Sequence, residues 1–244
     1  MREAVYAGAF YPSDKKELEN TIHKMLSKVK AKTSLGKVVA AIVPHAGYVY
    51  SGEVAASAYA EIGNANPKKV VLLGPSHQEY LEGAYTFSDD WVTPLGKVKV
   101  SSANLPVIRH DAEHSLEVQV PFLQSVLKNF ELVPIIYGEI NGKTLAEIAG
   151  EEKGFVLVSS DLSHYLPYKD ANKIDKKTVN SILNLDFEEL GKSGDACGLT
   201  GIIALVILAK KREWKPVLLD YRNSGDTAGD KNKVVGYASI VFTE

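Results

Sequence analysis

Three short apolar runs set the terms on which this chain can fold. They stand in AAIVPHAG, VVLLGPSH and FVLVSSDLSH, each built from aliphatic and β-branched residues and each stopped by Gly, Pro or Ser. Runs of that length and composition read as core strands that end at loops. Each run also delivers a histidine: His45, His77 and His164. In an open α/β sheet, ligands collect in the crevice beyond the carboxyl ends of the strands. Imidazoles far apart in sequence can therefore converge there. The chain has six histidines, and three of them at equivalent strand ends predict a metal site or an acid–base centre.

The rest of the pattern supports such a sheet. A Ser13-Asp14 cap precedes an amphipathic helix over 18–30, and strands are predicted at 38–43, 69–73, 132–137, 155–159, 217–221 and 234–242. Ser51 can cap a helix running to residue 60. Segments 84–87, 91–93 and 97–100 read as a small antiparallel excursion. Residues 115–129 have helical periodicity, with Pro121 expected to end or kink the first part. Helices are predicted at 143–149, 168–183, 186–191 and 198–211, and the polar stretch 221–233 reads as a loop. Strands alternate with helices and antiparallel additions come late. The expected architecture is a single α/β domain over residues 1–244, with a mixed, mostly parallel sheet and helices on both faces.

Bulk properties narrow the function classes. Hydrophobic residues make up 45% and charged residues 24% of the 244, the balance of an ordinary globular protein. The formal net charge of −2 gives no basic field for nucleic acid. The longest strongly apolar stretch, 199–209, is too short to span a bilayer. The first residues, MREAVYAGAFYPSD, lack a signal-peptide core, so a cytoplasmic protein without membrane partners is expected. A single cysteine, Cys197, excludes an intrachain disulfide and a CxxC zinc ribbon.

The candidate chemistry follows from residue types and spacing. His45 and His77 each follow a Pro-containing turn flanked by small residues, which lets a ligand approach closely. Asp161 and His164 stand three apart in Ser159-Ser160-Asp161-Leu162-Ser163-His164; on a helical turn both would share a face, and the carboxylate would fix the imidazole tautomer. His164 then suits an acid–base role or a third ligand. Asp161 could instead cap the following turn. His110 and His114 have i, i+4 spacing, yet the H-E-x-x-H order of zincins fails. His114 is the better site candidate, with Glu113 or Glu117 as a supporting acid. Cys197 precedes an apolar helix, where the dipole would favour thiolate; it could equally be a buried filler, or complete a His2Cys metal site with His45 and His77. Gly74-Pro75-Ser76-His77-Gln78 begins like a nucleophile elbow without its final Gly. No Walker A or G-x-G-x-x-G sequence is present. His23, on an early polar helix, reads as surface.

Taken together, AGAFYPSD, PHAGYVYSG, LGPSH, EHSLEVQVPFLQ, SSDLSHY, DACGLTGI and SGD…VVGYAS resemble the Memo family across essentially the whole chain. That family is similar in fold to class III extradiol ring-cleaving dioxygenases, which hold nonheme Fe(II) with two His and one Glu. The resemblance implies a metal-binding pocket on an α/β scaffold. His45 and His77 match the family's metal-liganding histidines. Cys197 matches the position where the dioxygenases have their carboxylate. Asp161 and His164 match further pocket residues, and His114 falls where the dioxygenases have another active-site histidine. A thiolate in place of a carboxylate makes the site softer and oxidisable, so ring cleavage does not carry over. The expectation is Fe(II) or Cu redox chemistry on His45, His77 and Cys197, with His164 held by Asp161 as proton carrier and Zn as an alternative ion. A non-catalytic binding or adaptor protein that retains the pocket, and a Zn hydrolase with His164 as base, are the competing readings. The pocket's partner would be a small molecule or a peptide. Microbial relatives occur linked to a radical-SAM protein and an AMMECR1-like domain, which implies a shared pathway.

Overall fold

The computed structural model describes residues 1–29, 35–109 and 112–244. The chain runs through α1 (Lys15–Ser27), β1 (Val38–Val43), α2 (Tyr48–Ala65) and β2 (Lys69–Pro75). An excursion then carries β3 (Ala84–Thr86), β4 (Trp91–Thr93), β5 (Gly96–Val98), α3 (His114–Glu117) and α4 (Gln119–Val126). It is followed by β6 (Glu131–Tyr137), α5 (Gly142–Glu151), β7 (Phe155–Ser159), β8 (His164–Leu166), α6 (Tyr168–Leu183) and α7 (Phe187–Ser193). The chain closes with α8 (Leu199–Lys211), β9 (Lys215–Asn223), α9 (Ser224–Thr227) and β10 (Val234–Thr243).

The main sheet has the order β3-β6-β2-β7-β1-β10-β8, with β9 also paired to β10. Strands β6, β2, β7 and β1 are mutually parallel. Strand β10 is antiparallel to β1, β9 and β8, and β3 is antiparallel to β6. The sheet is thus mixed and mostly parallel, as the sequence predicts. Because strand side chains alternate, two separate cores form on its faces. Ala41, Val43, Val70, Leu72 and Leu157 pack with Leu18 and Ile22 of α1, Tyr59 of α2 and Phe122 of α4. Ala40, Ile42, Val71, Leu73, Val156 and Val158 pack with Leu145 of α5, Ile182 of α6 and Leu205 of α8. Helices on both faces explain why the parallel strands are apolar at nearly every position. No helix among the described residues is long and apolar enough to cross a membrane.

Several local expectations are corrected. Helix α2 starts at Tyr48, not after Ser51, and its cap residue Gly47 offers no side chain. The Tyr48 amide instead donates to the Phe10 carbonyl at 2.8 Å, so the amino-terminal segment supplies part of the missing cap. The Ser51 hydroxyl donates to Ala46 O. The periodic stretch 115–129 divides into α3 and α4 at Val118. Pro121 falls in the first turn of α4, where its missing N–H leaves nothing unpaired, so it begins a helix rather than ending one. The excursion does not stay together: β3 joins the main sheet and only β4 and β5 form a separate hairpin. The polar stretch 221–233 contains the end of β9 and the short α9, closed by a capping box between Asn223 and Asp226.

The amino-terminal segment is fastened to the sheet through Glu117. This buried carboxylate pairs with Arg2 at 2.8 Å, accepts from the amides of Val5 and Tyr6, and accepts the Tyr11 hydroxyl at 2.8 Å. Arg2 also lies over the Trp91 ring, 4.4 Å from its centroid. Removing one partner of a buried pair leaves an uncompensated charge. Glu117→Ala is expected to lower unfolding stability by roughly 3–5 kcal/mol, read as a lower midpoint in urea denaturation. A change under about 1 kcal/mol would contradict the anchoring role given to Glu117.

Candidate metal centre

Sheet register decides which loops meet. Strand β7 lies between β1 and β2, with Val43 beside Ser159 on one edge and Leu73 beside Val158 on the other. The three strands therefore stop close together. His45 lies two residues beyond β1, His77 two beyond β2, and residues 160–163 continue from β7. Cys197 arrives from the other direction, just ahead of α8. Its position is fixed by the turn around it. The Tyr137 hydroxyl of β6 donates to Gly198 O and accepts from the Gly201 amide, both at 3.2 Å, while the Gly198 amide donates to Ser160 Oγ at 2.9 Å. Gly198 has no room for a side chain, since a Cβ there would meet Ser159 O at 2.8 Å.

These loops bring His45, His77 and Cys197 together, with one donor atom from each lying within 4.8 Å of the others. His45 Nε2 is 3.2 Å from Cys197 Sγ, and the His45 and His77 ring centroids are 5.1 Å apart. Metal–nitrogen bonds of about 2.0–2.1 Å and metal–sulfur bonds of about 2.3 Å place cis N and S donors roughly 3.1–3.6 Å apart, so the observed separation suits a shared ion. The outer nitrogen of each imidazole is also engaged. His45 Nδ1 lies 2.8 Å from Ser159 Oγ, and His77 Nδ1 lies 3.0 Å from Glu113 Oε1. Such partners orient metal-binding histidines and hold their tautomers.

Glu113 is hydrogen-bonded directly to His77 and acts on His114 through its charge. Its carboxylate accepts from the His77 amide at 2.6 Å and from the Ser115 amide at 2.8 Å, capping α3. Burial raises its pKa, but the His77 ring and the two amides more than reverse this, and the carboxyl is held at about 2. His114 packs 4.6 Å from His77 and 5.3 Å from His45 by ring centroids, with Phe10 on its other side at 4.9 Å. Among the described residues its buried Nδ1 has no hydrogen-bond partner, and it lies 3.3 Å from Glu113 Oε1. Burial depresses its pKa to about 4 despite the attraction of Glu113. Burial likewise depresses His45, with His77, His114 and His164 adding to the effect. His77, Glu113 and His114 also offer donor atoms within 4.8 Å of one another.

Asp161 and His164 do not act as a pair. No helical turn forms over 160–163, and Asp161 Oδ1 accepts from the His45 amide at 2.8 Å. Asp161 thus braces the loop that presents His45, and among the described contacts none joins it to His164. Burial raises its pKa to about 7, against the pull of the His45 and Ala46 amides. His164 opens β8 and is depressed by burial, with Asp195 and Asp175 as its acidic neighbours. Next to it Tyr165 has a positive φ of 59° and a ring 70% exposed. The expected dipole-lowered thiolate at Cys197 is also corrected. Burial pushes the thiol up to about 12, Asp161 adds to this, and hydrogen bonds from the Asp161 amide and Ser160 only partly offset it. The preceding turn, rather than a helix start aimed at the sulfur, surrounds this residue.

Three residues that hold the site were given no role from the sequence: Ser159, Gln119 and Tyr137, the first two lying inside SSDLSHY and EHSLEVQVPFLQ. Their signal was their company, since Ser159 ends a core strand and Gln119 lies in a run of apolar residues. Glu117 anchors the amino-terminal segment, and its charge also acts on His114, raising the pKa that burial lowers. His110 lies outside the described residues. His23 is exposed, and the Ser76 hydroxyl donates to Glu79 O, closing a turn.

Comparison with known proteins gives the family. A family model described as Memo-like protein matches residues 2–241. A MEMO1 family protein of Aquifex aeolicus is 36% identical over 268 aligned positions, covering 99% of this chain and 99% of the relative. Others from Methanosarcina mazei and Nitrosopumilus maritimus are 34% and 37% identical, each covering 99% of this chain and, respectively, 98% and 99% of the relative.

The depressed Glu113 carboxyl predicts an acid limb in stability. Its contribution is fully present above its ordinary value of 4.5 and is lost as pH falls toward about 2. Glu113→Gln should cost on the order of 3 kcal/mol at most near pH 6 and much less near pH 2, measured by denaturant unfolding at both pH values. An equal loss at the two pH values would contradict the assignment.

Proposed function

The chain belongs to the family of Memo-like proteins, and from that premise we propose that it binds a redox-active metal ion, Fe(II) or Cu, on His45, His77 and Cys197. The observation that carries this reading is the convergence of two imidazoles and one thiol within 4.8 Å, with the second nitrogen of each imidazole already engaged. A set of one sulfur and two nitrogens is soft enough for Cu and Fe and also suits Zn. When bound, Fe or Cu would supply electron transfer to a small substrate or to dioxygen.

The protein's own groups do the rest. Glu113 and Ser159 orient the two imidazoles, Asp161 fixes the His45 loop, and Phe10 walls His114 off from solvent on one side. Burial lowers the pKa of both His114 and His164, so each offers an unprotonated nitrogen but is a weaker base than a free imidazole. Of the two, His114 stands closer to the His45–His77 pair, and it is the favoured proton carrier. Access from the cytoplasm, and a pathway shared with a radical-SAM protein and an AMMECR1-like domain, belong to the same reading.

One observation favours a second reading, a binding or adaptor protein for a peptide or small molecule. Val49 and Tyr50 in the first turn of α2, Tyr80 in the loop after β2 and Tyr165 in β8 are exposed. Exposed apolar side chains that gather on one face mark contact surfaces. The Zn hydrolase reading uses the same three donors with Zn-bound water, and rests on ligand chemistry alone.

Anaerobic purification followed by elemental analysis tests the proposal. Iron or copper near one per chain is expected in the native protein and strong depletion in His45→Ala and Cys197→Ala. Unchanged metal content in both variants would overturn the ligand set. Oxygen uptake with candidate reductants, lost in His114→Ala, would favour turnover over a purely binding role.

A further inference from the structure

We infer that Ser159 is a positioning residue that locks His45 as the Nδ1–H tautomer, so that the bare Nε2 faces Cys197. Its bearing on metal binding rests on the proposed His45–His77–Cys197 site, whereas the tautomer itself follows from hydrogen-bond accounting in the protein alone.

The Ser159 hydroxyl is fully buried and owns one hydrogen and two lone pairs. Three groups surround it: Ser115 O at 2.5 Å, Gln119 Nε2 at 2.7 Å and His45 Nδ1 at 2.8 Å. The Ser115 carbonyl can only accept, so it takes the hydroxyl hydrogen. Gln119 can be assigned just as firmly. Its Nε2 is also 3.1 Å from Pro44 O, an obligate acceptor, and its Oε1 is 2.6 Å from the Tyr59 hydroxyl. Flipping the amide would set two acceptors against each other at Pro44, so Nε2 donates to both Pro44 and Ser159. One lone pair of Ser159 remains, and only a protonated Nδ1 can use it. In the neutral ring that burial favours, His45 Nε2 is then unprotonated on the side that lies 3.2 Å from Cys197 Sγ.

The chain of bonds runs from Tyr59 in α2 through Gln119 in α4 to the end of β7. Tyr59 is itself fixed, stacked on Phe122 at 4.6 Å with 5° between the ring planes. His77 reaches the same tautomer by another route, since the Glu113 carboxylate also accepts from Nδ1. One imidazole is thus backed by a neutral hydroxyl and the other by a carboxylate. A backing carboxylate raises ligand basicity more than a hydroxyl does. The two histidines are accordingly unequal donors, and the buried site carries one carboxylate rather than two behind its imidazoles.

The test is a long-range 1H–15N correlation spectrum of the metal-free protein with labelled histidine, together with competition titration of Zn(II) and Co(II). His45 should show a protonated Nδ1 and a bare Nε2. Ser159→Ala should shift it toward the other tautomer and weaken Zn(II) binding about 10–100-fold, while His77 keeps its pattern. Glu113→Gln should disturb the His77 pattern and leave that of His45. Nε2–H in native His45, or an unchanged His45 pattern in a folded Ser159→Ala, would overturn the inference. If the alanine variant does not fold, the native spectrum alone decides. The stated tautomer with no Zn(II) or Co(II) bound by the native protein would uphold the lock and remove the metal reading instead.

Discussion

The site depends on one piece of register: β7 sits between β1 and β2 and ends level with them. Val43 is paired with Ser159, and the amide of the next residue, Ser160, donates back to Val43 O at 2.8 Å. That bond keeps the two chains together for one residue past the ladder before they diverge. The loop that diverges from β1 bears His45, and the loop from β7 bears the carboxylate that receives the His45 amide. A slip of one residue would turn Ser159 to the other face and exchange every core contact along the strand. Close packing of both faces, from Leu18 and Tyr59 on one to Leu145 and Leu205 on the other, makes such a slip very costly.

Around the site, buried carboxylates act on backbone as much as on side chains. Glu113 and Glu117 begin and end the short α3; one faces the histidines and the other holds the amino-terminal segment. Asp161 receives the His45 amide, and Asp175 receives the Ser163 amide and the Tyr221 hydroxyl. Gly236 of β10 lies so near Asp175 that a Cβ would stand 2.1 Å from Oδ2. Glu113, Asp161 and Asp175 thus supply acceptors to the His77, His45 and Ser163 amides just outside the strands, where buried amides would otherwise lack partners. The same arrangement keeps charge near imidazoles without exposing it to water.

Much of the architecture was legible because parallel strands covered on both faces must be apolar and short, and the helices between them carry a clear period. The convergence of His45 and His77 was legible from their places at strand ends, and that of Cys197 from family resemblance. What could not be read was partnership. Asp161 and His164 look paired on spacing, yet spacing assumes a helical turn that the pull of the His45 amide and the β8–β10 pairing prevent. The thiol at 197 looks activated from its place before α8, yet burial outweighs any dipole. Ser159 and Gln119 lie inside quoted motifs, yet residue type and spacing do not disclose their role, which is to complete hydrogen bonds with Pro44, His45, Tyr59 and Ser115.

Tyr165 has a consequence of a different kind. A non-glycine residue in left-handed backbone is disfavoured by about 1–2 kcal/mol. Here it stands inside a three-residue strand, between His164 and Leu166, which pair with Val235 and Val234 across an irregular register. So short a ladder has little to set against that strain. Local opening therefore comes most easily at this edge, and amide hydrogen exchange there would run ahead of the central strands. Of the four clustered histidines, three are set in the deep frame of the sheet and its excursion, while His164 rides on the segment that breathes.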